Sequence, residues 1–187
     1  MRIVSGRFKG AALATPKSQE TRPTSDRLRE TIFNILGHGL DVDLDGARVL
    51  DLFAGTGALG FEAISRGARH CTFIEEGAEA RGVIRRNMET LGLNGVSKIF
   101  RRDATRLGDA GTIEAFDLVF ADPPYDKGLG ERALASAAAG GWLKPGATCV
   151  LEERASADVA VPEGFSEIDR RRAGDSQVVF VRFASAD

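Results

Sequence analysis

The chain has few cysteines and histidines, two of each among 187 residues. Cys71 and Cys149 each lie inside an apolar run and lack the spacing of metal ligands. We therefore interpret both as buried thiols, neither ligands nor nucleophiles. His38 and His70 fit no catalytic pattern. The sequence thus predicts no metal site.

Long apolar runs and a signal peptide are also missing. No uninterrupted apolar run reaches membrane-spanning length, and residues 1–7 lack the apolar core of a secretory leader. We expect a cytoplasmic protein without a membrane partner. Internal repeats and linkers are absent as well, so the residues that make up the 43% hydrophobic content are expected to form one core. We also expect a monomer.

Positive charge is concentrated at the N-terminus. Residues 1–29 carry seven basic and two acidic side chains, a net charge of +5, although the whole chain has a net charge of −2. A basic segment on an acidic body is typical of phosphate contacts. Residues 1–20 are predicted to form a basic β-ribbon arm that binds RNA, with Arg2, Arg7, Lys9 and Arg22 as candidate contacts. The alternative is a solvated terminus without a partner.

Strands and helices alternate along the rest of the chain. After a first helix, which begins at Thr24 or Ser25 and ends at Gly37 or Gly39, strands are predicted near 48–53, 70–75, 97–101, 116–121, 148–152, 165–170 and 177–183. Helices are predicted near 58–66, 77–91 and 128–139, with another around 104–110. The turn at Gly174 makes the last two strands an antiparallel hairpin. We predict a three-layer, doubly wound α/β fold whose seven-stranded sheet is mostly parallel.

A glycine turn follows the first predicted strand. Gly55, Gly57 and Gly60 allow a ligand to approach the backbone closely at the start of a helix. The same spacing occurs in dinucleotide-binding proteins, so an oxidoreductase is one alternative. Asp51 argues against it, because a carboxylate there repels a pyrophosphate and suits a cationic amino group. The turn resembles motif I of the class I S-adenosylmethionine-dependent methyltransferases.

Asp122, Pro123, Pro124 and Tyr125 follow the fourth predicted strand, and we call them the clamp. The Asp122 carboxylate and the Pro123 carbonyl can each accept one N–H of a planar exocyclic amine, while the Tyr125 ring stacks on the base. The two prolines stiffen the backbone that carries these acceptors. An ordinary strand-to-loop exit is the alternative. Because neighbouring strands meet at the topological switch point, the clamp and the glycine turn should face one crevice.

Acidic residues also end the second and third predicted strands. Glu75 lies about twenty residues beyond the glycines, the offset expected for a carboxylate that binds ribose hydroxyls. Glu76 is the alternative. Asp103 and the Ala104 N–H are candidates for reading adenine, although Asp103 is equally suited to cap a helix.

Taken together, residues 2–6, 21–34, 51–60 and 122–125 resemble the RsmD family of 16S ribosomal RNA guanine-N2 methyltransferases. The resemblance implies a methyltransferase domain over residues 21–187, with ribosomal RNA or the assembling small subunit as partner. It implies that S-adenosylmethionine is the cofactor and that the clamp holds a guanine. The residues implied in cofactor binding are Asp51, Phe53, Gly55, Gly57, Glu75, Asp103 and Ala104.

Other functions share parts of these motifs. A methyltransferase that acts on DNA adenine, on another RNA or on protein glutamine has the same clamp chemistry, and only the N-terminal segment argues against it. A non-catalytic RNA-binding module is disfavoured because both the glycine turn and the clamp are intact.

Overall fold

One mixed sheet forms the centre of the protein. The computed structural model describes residues 1–17 and 24–184. The strands are β1 (Arg48–Leu52), β2 (His70–Ile74), β3 (Ser97–Phe100), β4 (Phe116–Ala121), β5 (Leu143–Arg154), β6 (Phe165–Ala173) and β7 (Ser176–Phe183). Their order is β3-β2-β1-β4-β5-β7-β6, and β7 runs antiparallel to both neighbours while β1 to β5 are parallel. The predicted fold class is confirmed.

The helices cover both faces of this sheet. They are α1 (Asp26–Asn34), α2 (Ala58–Ser65), α3 (Ala78–Leu91) and α4 (Leu129–Ala139). Phe33, Phe61 and Ile84 pack on one face, whereas Leu134 and Ala137 of α4 pack on the other. Cys71 and Cys149 are buried in these two cores, as predicted, and burial raises the pKa of both thiols. No helix in the described residues is long and apolar enough to cross a membrane.

Three predicted elements differ in extent. The helix expected around 104–110 is a short 3-10 turn, Ala104–Arg106, because Gly108 adopts a φ of +73° that a right-handed helix excludes. β6 extends beyond its predicted end at residue 170, to Ala173. The first helix ends where predicted, because α1 continues through a π turn, Ile35–Gly39. β5 is longer than predicted and starts at Leu143, which pairs with Phe116 of β4.

The N-terminal arm packs against α2. A single bridge, Arg2 to Ala12, forms the ribbon, so the regular pairing is shorter than the prediction. Ile3 is buried in the core, and the Arg7 N–H donates to the Ser65 carbonyl at 2.9 Å. At Gly6 the φ is +87° and a Cβ would lie 2.0 Å from the Ser65 oxygen, so only glycine fits this approach.

A buried carboxylate fastens the arm. Glu62 of α2 is fully buried and accepts hydrogen bonds from the backbone N–H groups of Val4 (2.8 Å) and Ser5 (3.0 Å). Its oxygens also pair with Arg66 (2.9 Å) and with the buried Arg29 of α1 (3.4 Å). Since Arg29 donates to the Arg2 carbonyl as well, one ionic cluster joins the arm, α1 and α2.

Replacing Glu62 should therefore destabilise the whole protein. Glu62→Ala leaves the Arg29 guanidinium buried, with Asp26 as its remaining ionic partner among the described residues, and we expect a loss of about 3 kcal/mol or more in the free energy of unfolding. Urea denaturation measures it, with the exposed Glu30→Ala on α1 as the control. A loss below about 1 kcal/mol, the size typical of a surface ion pair, would contradict this account.

Candidate active site

A cavity of about 960 Å³ opens at the carboxyl ends of the parallel strands. Its wall includes Phe53 and Gly55 from the glycine turn, Glu75 after β2, and Asp103 and Ala104 after β3. The four clamp residues, Asp122 to Tyr125, complete the wall after β4. The two motifs therefore share one cavity because β1 and β4 are hydrogen-bonded neighbours.

Two candidate residues lie behind the glycine turn and not on the cavity wall. Asp51 is buried, and its Oδ2 accepts the Gly60 N–H at 3.1 Å. Burial raises the pKa of Asp51, and the Gly60 hydrogen bond opposes that shift. Gly57 has a φ of +80°, and a Cβ there would lie 2.6 Å from the Phe61 ring. Both residues shape the turn from beneath.

Glu75 holds the glycine turn from the side. Its Oε1 accepts the Gly55 N–H at 2.7 Å, and its Oε2 accepts the Gly77 N–H at 2.8 Å. The carboxylate therefore links the turn after β1 to the N-terminus of α3. Glu76 also lines the cavity but is exposed, and its backbone carbonyl accepts from Arg81.

Asp103 caps the 3-10 turn, and capping is one of the two roles that the sequence predicts for it. Its Oδ1 accepts from the Thr105 N–H (2.9 Å) and from the Thr105 hydroxyl (2.7 Å). These hydrogen bonds lower the pKa of Asp103. Because the residue also lines the cavity, it presents an ionised carboxylate there.

Asp122 lies beside a second carboxyl group that the sequence analysis missed. This group belongs to Glu152, a buried residue of β5, the strand next to β4. The Thr24 hydroxyl donates to Asp122 Oδ2 at 2.7 Å and lies 3.3 Å from Glu152 Oε2. Desolvation and the charge of Glu152 raise the pKa of Asp122, and the Thr24 bond offsets part of that effect. The Thr24 hydroxyl thus lies between the two carboxyl groups and contacts both.

The hydroxyl of Tyr125 is held by the same group. It donates to Glu152 Oε1 at 2.9 Å and lies 2.8 Å from the Ser176 hydroxyl. Across the ring, the Arg154 guanidinium lies 5.3 Å from the centroid. We call Thr24, Glu152 and Ser176 the support of the clamp. The one signal for it in the sequence is a pair of acidic residues, Glu152 and Glu153, that interrupt an apolar strand.

Three of the candidate RNA contacts in the arm, Arg2, Arg7 and Lys9, do not line this cavity. Arg7 packs over the Phe8 ring at 4.7 Å and, like Lys9, is exposed. Arg2 is exposed too, but its Nη1 donates to the Gly10 carbonyl and closes the ribbon. The Arg7 N–H is hydrogen-bonded to Ser65, the last residue of α2. Ser65 lies about 12 Å along that helix from the glycine turn. Arg22 lies outside the described residues.

Comparison with known proteins identifies close relatives over almost the whole chain. The family model described as Conserved hypothetical protein 95 matches residues 1–182. The chain is 38% identical to ribosomal RNA small subunit methyltransferase D of Escherichia coli, over 81% of this chain and 74% of that protein. It is 32% identical to the protein of the same name in Haemophilus influenzae, over 93% and 89%. The solved structure of the methyltransferase yhhF of Escherichia coli superposes with a TM-score of 0.83 at 31% identity and 98% coverage of both chains.

The geometry of Glu75 yields a prediction about cofactor binding. Glu75→Ala removes the acceptor of two backbone N–H groups that shape the cavity, and we expect at least a roughly tenfold loss of S-adenosylmethionine affinity. Glu76→Ala, at the adjacent exposed position, is the matched control and should change affinity much less. Isothermal titration calorimetry on both folded variants measures the difference. A larger loss in Glu76→Ala would reassign the ribose contact to Glu76.

Proposed function

Because the chain belongs to the RsmD family of class I methyltransferases, we propose that it methylates the N2 amine of a guanine in small-subunit ribosomal RNA. The cofactor is S-adenosylmethionine. The observation that carries the choice of an exocyclic amine is the clamp, where the Asp122 carboxylate, the Pro123 backbone and the Tyr125 ring line one cavity. The names of the relatives support ribosomal RNA as the methyl acceptor.

The cavity suits S-adenosylmethionine in size and in the chemistry of its wall. Bound there, the cofactor supplies an electrophilic methyl group on a sulfonium centre. Acidic residues at the ends of successive strands suit its hydroxyl and amino groups, and we assign Glu75 to the ribose and Asp103 with the Ala104 N–H to the adenine. Phe53 and Gly55 form the adjoining wall. Asp51 and Gly57 act indirectly, by fixing the turn.

The clamp activates a poor nucleophile. The lone pair of a guanine N2 amine is delocalised into the ring, so the free amine attacks weakly. When Asp122 and the Pro123 carbonyl each accept one N–H, the lone pair localises on the face opposite to them, toward the methyl donor. Stacking on Tyr125 fixes the plane of the base, while Pro124 stiffens the backbone. Positioning of this kind supplies most of the rate acceleration.

The environment of Asp122 also provides a proton acceptor. The methylated amine must lose one proton, and a carboxylate of ordinary acidity takes it poorly. Burial and the neighbouring Glu152 raise the pKa of Asp122, so its carboxylate is a better base. The proton can pass to Asp122 at the oxygen that accepts the amine hydrogen bond.

RNA binding is assigned to the basic surface outside the cavity. Arg2, Arg7 and Lys9 of the arm contribute sequence-independent phosphate contacts. A base that is paired or stacked in the RNA must be extruded to reach the clamp, at a cost of a few kcal/mol. Phosphate contacts offset that cost. Either free ribosomal RNA or the assembling subunit fits this arrangement.

The chemical identity of the product tests the proposal directly. Small-subunit ribosomal RNA and assembled subunits from cells lacking the protein are incubated with the enzyme and labelled S-adenosylmethionine, and the RNA is digested to nucleosides. We expect N2-methylguanosine. Label in N6-methyladenosine would place another base in the clamp, and label in DNA or protein substrates only would overturn the choice of RNA.

Asp122 should matter for chemistry and not for cofactor binding. It accepts the amine hydrogen only when the base is in place, so Asp122→Ala should lower single-turnover methyl transfer by about two orders of magnitude or more. S-adenosylmethionine affinity should stay within a few-fold of the wild type. Near-normal transfer by a folded Asp122→Ala variant would refute the role of the clamp.

The carboxyl pair predicts a distinctive pH dependence. Asp122 must be ionised to accept the amine hydrogen and the proton, so the rate should fall as the pH drops through its raised pKa. Glu152→Gln keeps an acceptor for Tyr125 but removes the neighbouring charge, and should move this acid limb to lower pH. The exposed Glu163→Gln serves as the control. If the acid limb of the pH–rate profile of Glu152→Gln matches that of the wild type, a group other than Asp122 controls it.

A further inference from the structure

A second cavity lies directly behind the support of the clamp. It has a volume of about 650 Å³ and separates α1 from the turn between β6 and β7. We call it the flanking groove. Thr24, Glu152 and Ser176, which contact Asp122 and Tyr125, form the side of the groove next to the clamp. When one base of an RNA strand lies in the clamp, the neighbouring nucleotide is therefore within reach of this groove.

Both walls of the groove are fixed by the fold. The α1 wall is held through Arg29, which pairs with Glu62 of α2. On the opposite wall, the Ala155 N–H donates to the Asp175 carbonyl at 2.7 Å and joins the β6–β7 turn to the end of β5. Gln177 adds side-chain hydrogen bonds to the Arg154 and Ala157 carbonyls. The groove is thus preformed.

Each wall presents an exposed arginine to the groove. Arg27 comes from α1 and Arg172 from β6, and neither forms an ion pair with another residue in the part of the chain that the structure describes. The residues around Arg27 have structural roles. Thr24 is hydrogen-bonded to Asp122, Ser25 caps α1, and Arg29 is buried against Glu62. Within residues 1–17 and 24–184, no hydrogen bond or ion pair ties the Arg27 side chain to the fold.

The lining matches a sugar–phosphate unit. Two guanidinium groups on facing walls suit one phosphate, and the Ser25 hydroxyl, which accepts the Leu28 N–H, adds a donor. Glu152 is already bonded to Tyr125 and Ser176, which leaves Asp175 as the acidic group at the rim. A carboxylate at that place suits a ribose 2′-hydroxyl, the group that distinguishes RNA from DNA.

We propose that the flanking groove binds the ribose and phosphate of the nucleotide adjacent to the methylated base. The proposal rests on the function proposed above and adds a subsite to it. Arg27 and Arg172 neutralise the phosphate, and the shared support residues set its distance from the clamp. RNA binding thereby extends from the arm across α1 to the β6–β7 hairpin.

The test compares two double variants in RNA binding and methyl transfer. Arg27→Gln/Arg172→Gln removes both charges of the groove, and Lys98→Gln/Arg101→Gln removes two exposed charges near β3, at the opposite edge of the sheet. Binding to small-subunit ribosomal RNA is measured over a series of salt concentrations. We expect the groove variant to reduce the salt slope by about 1 to 2 and to raise the KM for RNA about tenfold. Its kcat and cofactor affinity should match the wild type, as should the control.

The outcomes separate this proposal from the function on which it rests. If the wild type methylates the RNA while the groove variant binds and reacts like the control, only the groove assignment fails. If the wild type transfers no methyl group to ribosomal RNA, both proposals fail. A binding defect seen with assembled subunits but absent with free RNA would assign the groove to a ribosomal protein and overturn the proposal.

Discussion

The close approach of two carboxyl groups, Asp122 at the end of β4 and Glu152 in β5, is the interaction on which the site depends. Carboxylates removed from water lose solvation and repel one another, and the hydroxyl groups that bond to this pair offset part of that cost. The Thr24 hydroxyl donates to Asp122, and the Tyr125 hydroxyl donates to Glu152. The same contacts therefore orient both functional ends of the clamp, while burial and the charge of Glu152 raise the pKa of Asp122.

The buried carboxylate of Glu62 connects this site to the N-terminal arm. Glu62 binds the arm backbone and Arg29, and Arg29 belongs to the helix whose N-terminus carries Thr24. Helix α1 is thus fixed at one side by an ionic cluster and presents its capping segment to the clamp at the other. This placement explains how a segment far from the clamp in sequence becomes part of its support.

Local patterns in the sequence predicted the glycine turn, the clamp and the parallel strands, because each depends on residues close together in the chain. The support depends on distant pairs: Thr24 lies 98 residues from Asp122 and 128 from Glu152. Hydrophobic periodicity in the sequence does not predict contacts between residues this far apart. Asp51 and Gly57, both predicted to bind the cofactor, do not line the cavity: Asp51 accepts the Gly60 N–H, and the Phe61 ring packs close to Gly57. The helix predicted around 104–110 is only a 3-10 turn, because Gly108 has a positive φ.

A double-mutant cycle on single-turnover methyl transfer tests most directly whether the clamp and its support act as one unit. Thr24→Val and Tyr125→Phe each remove one hydroxyl, on opposite sides of the carboxyl pair, with little change in shape. The network predicts that the two losses do not add, with a coupling energy of about 1 kcal/mol or more. Strictly additive losses, together with unchanged cofactor affinity in all three variants, would mean that Asp122 and Tyr125 are positioned independently.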